Sequence, residues 1–183
     1  SDYRAVKLFE GVYLNGVLEF NNNKKLEIAS SSFAEKDITL DTLNINKQLI
    51  FFLGSRRNAQ SLGSRLSVYA DKKLSQEDKG KLDILADKVL YSLEQPTEQC
   101  NLLAECVRKG AAFHHAGLVQ KQKDLIEKGF RERIIKVICA TPTLCLHKDT
   151  LIWHGINETR VSDFNKNNNL YALNENKLIH LNY

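Results

Sequence analysis

Three short stretches of the 183-residue chain carry side chains suited to holding phosphate or moving a proton. The first is Ser55-Arg56-Arg57. Ser is a good helix N-cap. The free N–H groups and dipole of a helix start attract anions, and two guanidinium groups add charge. The same residues also suit a plain solvated helix start with surface arginines, so both readings stand. The second stretch is His114-His115-Ala116-Gly117. Neighbouring residues on a strand point to opposite faces, so this pair is poorly placed to share a metal ion. No carboxylate or thiol stands at ligand spacing, and no metal is expected. A buried or loop-stabilising role is expected instead. The third is Thr141-Pro142-Thr143, whose hydroxyl and N–H groups can hold a phosphate oxygen or cap a turn. A phosphate loop of the G-x-x-x-x-G-K-[ST] kind is missing, since Gly80-Lys81-Leu82 breaks the pattern.

These stretches need elements to hold them. Leu49-Ile50-Phe51-Phe52-Leu53 is a continuous apolar run of strand length, as expected for a strand buried on both faces of a parallel sheet. Helical spacing follows at Ala59, Leu62, Leu66 and Tyr69, then at Leu82, Leu85, Ala86, Val89 and Leu90. A third helix starts at Pro96-Thr97 and ends before Gly110, a natural residue just past a helix end. Ala111 to His114 and Ile134 to Ala140 read as strands, with a helix over Gln120 to Phe130 between them. Strand, helices, strand, helix, strand is an α/β order with right-handed crossovers. Ligands of such sheets sit at the C-terminal strand ends, where all three stretches fall. Before this, Asn15-Gly16 between apolar runs predicts a hairpin, and the polar stretch from Ser30 reads as a connector.

Composition adds limits. With 43% hydrophobic and 26% charged residues, the chain is a folding, globular type. No apolar run reaches the roughly 18–20 residues that span a bilayer, so no membrane is expected. The four cysteines Cys100, Cys106, Cys139 and Cys145 form no secreted disulfide pattern, and a reducing cytoplasm is the default location. The chain has no Met, which suggests a piece of a longer protein. Residues 1–144 hold 22 Lys/Arg and 18 Asp/Glu, so the whole net charge of +4 lies there. Residues 145–183 are neutral and hold 8 of the 16 Asn. Helical periodicity also stops near Cys145, and short strands with turn residues follow, so a second, all-β fold is expected to begin there.

Residues 2–144 resemble the second RecA-like domain of archaeal Ski2-type superfamily 2 DNA helicases. Gln48 to Ala59 looks like that family's motif IV. Ala112-Phe113-His114-His115-Ala116-Gly117-Leu118 looks like its FHHAGL element, and Ile138-Cys139-Ala140-Thr141-Pro142-Thr143-Leu144 like the first half of motif V. Residues 2–28 resemble the strand-rich linker between its two RecA-like domains. The resemblance implies a part of an ATP-dependent motor with 3′-to-5′ DNA unwinding. Thr141, Thr143, Arg56 and Arg57 would contact nucleic-acid phosphates, with His114, His115, Gly117, Ala140 and Pro142 as motif positions. The implied partners are single-stranded or forked DNA and the first RecA-like domain of the same chain. ATP and Mg²⁺ would be held mainly by that first domain, with no cofactor in this segment. No ATPase activity is expected from this piece alone.

After Leu144 the resemblance changes. Cys145-Leu146-His147-Lys148-Asp149-Thr150-Leu151-Ile152 looks like the first block of an intein, a self-splicing insert. By that resemblance, Cys145 is the nucleophile that attacks the Leu144 carbonyl, and a thiol suits the step because its thiolate is reactive near neutral pH. A Thr-x-x-His block and a terminal His-Asn are missing from residues 146–183, so this piece is not expected to splice. The expected organisation is therefore 1–47 as a strand-rich linker, 48–144 as a partial RecA-like α/β domain, and 145–183 as an intein start with a Hint-like, all-β fold. Three other readings stay open: a non-enzymatic nucleic-acid-binding α/β module, an RNA helicase of the same class, and a chain whose main activity is autoprocessing.

Overall fold

The computed structural model describes residues 9–142 and, further on, the backbone of four strands. The chain divides into two compact units, Ser1–Thr143 and Leu144–Tyr183. Thr143, Leu144 and Cys145 lie outside the described residues.

The first unit opens with strands β1 (Gly11–Leu14), β2 (Val17–Phe20) and β3 (Lys25–Glu27), paired antiparallel in that order. Asn15 (φ 48°) and Gly16 (φ 87°) both take the left-handed conformation that a two-residue type I′ hairpin needs. The stretch from Ser30 is not a bare connector: helix α1 covers Ala34–Asn44. Its Asp37 accepts hydrogen bonds from the Ser31 N–H and hydroxyl, both 2.7 Å, and from the Tyr13 hydroxyl at 3.1 Å. The Ser31 N–H contributes most to holding the Asp37 carboxyl below the usual carboxylate range. Asp37 thus ties β1 to α1, and α1 to the rest. Leu43 of α1 is buried with Leu62, Leu66, Val137 and Cys139. A boundary at 47/48 therefore cuts through one core. The helix escaped sequence reading because its apolar residues are few, and tertiary packing holds it where periodicity is weak.

The α/β part runs β4 (Leu49–Phe52), α2 (Arg56–Asp71), α3 (Gln76–Leu90), α4 (Glu98–Arg108), β5 (Ala111–His114), α5 (Gln120–Arg131) and β6 (Val137–Ala140). The three strands are parallel in the order β4-β6-β5, so the last strand enters the middle. Every residue of β5 and β6 is buried. By contrast β4 packs only Leu49 and Phe51 against the core, while Ile50 and Phe52 on its other face are exposed, against the expectation of burial on both faces. A continuous apolar run cannot tell whether both faces of its strand are covered, since that depends on which elements pack there. Ser55, Ser75 and Thr97 cap α2, α3 and α4, each accepting from an N–H three residues on. Gly110, at φ 77°, closes α4.

In the second unit, β7 (Leu151–His154) pairs antiparallel with β8 (Asn157–Arg160), and β9 (Leu170–Asn174) with β10 (Lys177–Leu181). No helix among the described residues is long and apolar enough to cross a membrane.

Candidate nucleic-acid interface

Because β4, β5 and β6 are parallel, their C-terminal ends lie on one edge of the sheet, and three loops leave from it. Backbone bonds lock these loops together at their roots. Leu53 N–H donates to the Ala140 carbonyl at 2.8 Å, and Thr141 N–H to the His114 carbonyl at 3.0 Å. The segment after β4 enters α2, where the Ser55 hydroxyl accepts from Asn58 N–H at 3.2 Å. The first turn of α2 carries Arg56 and Arg57 and no acidic residue, so nothing nearby in sequence cancels the positive helix end. Both arginines are exposed.

The His115 loop is held by a closed ring of polar contacts. Gly117 N–H donates to His115 Nδ1 at 3.1 Å, and His115 Nε2 lies 3.1 Å from Gln60 Nε2. Gln60 Nε2 also donates to Gln99 Oε1 at 3.1 Å, and Gln99 Nε2 donates to the Gly117 carbonyl at 3.1 Å. The ring stacks on Phe113 with centroids 5.5 Å apart. A neutral imidazole offers one accepting nitrogen, so the Gly117 bond places the ring proton on Nε2, which faces the Gln60 side-chain amide. An imidazolium would leave the Gly117 N–H no lone pair. Burial, and then the nearby Arg56 charge, hold the His115 pKa below its ordinary value. This loop is therefore gripped by α2 through Gln60 and by α4 through Gln99.

His114 points the other way. Its Nε2 lies 3.1 Å from Glu127 Oε1 of α5, while its buried Nδ1 has no partner among the described residues. Burial lowers the His114 pKa more than Glu127 raises it. The two rings thus serve opposite faces of the sheet, as strand alternation requires.

Of the residues singled out in the sequence, the fold brings Arg56 and Gly117 together. A Cβ on Gly117 would stand 3.5 Å from Arg56 Nη1. Arg57 sits beside Arg56 on the open side of the same turn. Ala140 and Thr141 are buried, and Pro142 is exposed. Thr143 and Cys145 lie outside the described residues. Sequence reading missed Gln60, Gln99 and Glu127. Gln60 carried a signal, since it stands four residues after Arg56 and so shares its helix face. Gln99 and Glu127 carried none, because only the tertiary fold places them at β5.

There is no phosphate loop in the sequence, and no group of three or more His, Cys, Asp or Glu among the described residues could hold a metal ion.

The class defined so far is an α/β parallel-sheet segment with a cationic edge at its C-terminal strand ends. No protein-family model matches the chain. Three relatives share one name, ATP-dependent DNA helicase Hel308. The chain is 37% identical over 173 residues, 94% of its length, to the protein of that name from Methanocaldococcus jannaschii. It is 38% identical over 150 residues, 78% of its length, to that from Methanococcus vannielii. The Thermococcus kodakarensis protein is 34% identical over 163 residues, 89% of the chain. The chain spans only 14%, 20% and 14% of these relatives, so it is homologous to a segment of each.

Proposed function

We propose that this chain is a segment of an ATP-dependent DNA helicase of the Ski2-type superfamily 2 class, from its second RecA-like unit. The observation that carries the reading is the match to the Hel308 helicases over most of the chain, with a parallel sheet whose loops carry the stretches that resemble the family's motifs. In this reading, Arg56, Arg57, Thr141 and Thr143 meet the phosphates of single-stranded or forked DNA. The grip of Gln60 and Gln99 on the His115 loop keeps Arg56 and Gly117 in register at that edge. By the family resemblance, ATP and Mg²⁺ would be bound mainly by the first RecA-like domain of the same chain. Nucleotide hydrolysis is therefore not expected of this chain alone, and measurable ATP turnover by the purified chain would refute that part. Single-stranded DNA binding that weakens in Arg56→Gln/Arg57→Gln supports the interface, and unchanged binding removes it.

The second part of the proposal is that motif V is interrupted after Leu144 by the start of an intein, with Cys145 as its nucleophile. One observation favours it. A match over 94% of the chain must run past residue 144, and so must one over 89%, whereas 78% need not. The two relatives with the longer matches are also the longer proteins. Their lengths come to about 1,200 residues (173/0.14 and 163/0.14), against about 750 (150/0.20) for the other. An excess of several hundred residues in the relatives that match beyond Leu144 is what an insert there requires. Excision would then restore motif V. Cys145→Ala in the full gene should give an unspliced precursor with no helicase activity, and full activity of that precursor overturns the reading.

A further inference from the structure

A second cleft lies at the opposite edge of the same sheet, where β4 and β6 begin. It has a volume of about 790 Å³ and is lined by Lys47, Lys73, Arg133 and Lys136, with Asp78 and Glu132 as its carboxylates. Lys136 is engaged: its Nζ lies 3.1 Å from Asp78 Oδ2 and donates to the Arg133 carbonyl at 2.8 Å. Lys47, Lys73 and Arg133 make no ion pair with any described residue, and all three are exposed. The cleft therefore gathers three cations without an ion-pair partner among the described residues, beside the carboxylates of Asp78 and Glu132, from three separate segments: the end of the α1–β4 loop, the α2–α3 loop and the α5–β6 loop.

The backbone adds a second observation. Arg133 follows the last turn of α5 at φ 61°, with its N–H on the Phe130 carbonyl at 2.9 Å. That is the left-handed position just past a helix end, where glycine is favoured and a long side chain costs stability. A backbone outlier of this kind is a ground for a hypothesis of function. The Arg133 guanidinium makes no ion pair or hydrogen bond with a described residue, and Arg133 lines the cleft.

We infer that this cleft binds phosphate groups of a nucleic-acid strand, through Lys47, Lys73 and Arg133, as a site separate from the Arg56 edge. The inference rests on the nucleic-acid reading above. Three cations spaced around one open cleft suit a chain of phosphates, because each phosphate met releases counterions and adds to a salt-dependent affinity.

The test measures anisotropy of a labelled single-stranded DNA oligomer with the full chain, from low to high salt. It compares the parent, Arg133→Gly, Lys47→Gln/Lys73→Gln, and Arg56→Gln/Arg57→Gln. Each cation lost should reduce the salt slope by about 0.7, which is about fivefold in affinity at 0.1 M salt relative to 1 M. Arg133→Gly should do this while raising the urea midpoint, since glycine suits the left-handed backbone. A residue that only supported the fold could not move the two readouts in opposite directions. If both cleft variants keep the parent affinity and slope while the Arg56/Arg57 variant loses them, the cleft is refuted and the interface stands. If no variant and no parent binds DNA, the helicase reading itself fails. A second arm titrates inorganic pyrophosphate. Loss of pyrophosphate binding in the cleft variants with DNA binding intact overturns the strand in favour of a small anion.

Discussion

Replacing Gly117 with Ala tests whether the His115 loop is as tightly held as its contacts indicate. A Cβ there would stand 3.1 Å from both His115 Cε1 and Nδ1. Ordinary contacts begin near 3.4 Å, so the ring must retreat by a few tenths of an ångström. It has little room, being 1% exposed, stacked on Phe113, bonded to Gly117 N–H at Nδ1 and set against the Gln60 amide at Nε2. Overpacking of this kind costs about 1–3 kcal/mol. Ala in place of Gly also restricts the unfolded chain, which returns about 0.4–1 kcal/mol. Overpacking wins, and a net loss of roughly 0.5–2 kcal/mol is expected. Gly80 is the internal control. It lies within α3 with nothing within 4 Å of its Cβ position, so Gly80→Ala should stabilise by about 0.5–1 kcal/mol. The two variants should shift the urea midpoint in opposite directions with unchanged slope. Far-ultraviolet circular dichroism is the suitable signal, because all helices among the described residues belong to the first unit. A Gly117→Ala variant as stabilised as Gly80→Ala would falsify the closed ring of contacts.

Two further outcomes follow from the buried groups. His114 and His115 both hold folded pKa values below the ordinary 6.5, so the unfolded chain binds more protons once pH falls through that value. Stability of the first unit should be complete above about pH 7 and decline toward pH 5.5, before Asp37 or Glu105, whose pKa values are lowered, titrate; a flat urea midpoint over that range contradicts the neutral rings. Burial pushes the Cys106 and Cys139 thiols up to about 12, so iodoacetamide at pH 8 should spare both in the folded chain and label both in urea. Rapid native labelling of Cys139, read by peptide mass, would show that β6 is not the buried centre of the sheet.

The elements that position the interface were legible because each has a local cause. Asn15-Gly16 can only turn one way comfortably, Ser55 and Thr97 cap the helices that follow them, and Gly110 stands where a left-handed residue must. Periodicity marked α2, α3 and α4 by their buried Leu62, Leu66, Leu82, Val89, Leu103 and Val107. Weak periodicity hid α1, which is held by Leu43 and by the Asp37 bonds rather than by its own pattern.

The sequence by itself determined the order of elements, the three phosphate-suited stretches and the change of character near Cys145, because propensity, capping and composition act over a few neighbouring residues. Only the tertiary structure decided that β6 takes the centre between β4 and β5, since pairing order depends on contacts about ninety residues apart. It alone set Gln60 and Gln99 around His115 and Glu127 beside His114, turning two adjacent histidines into supports for opposite faces. It also gathered Lys47, Lys73 and Arg133 into one cleft. Charges far apart in the chain have no signature of proximity until packing brings their segments together.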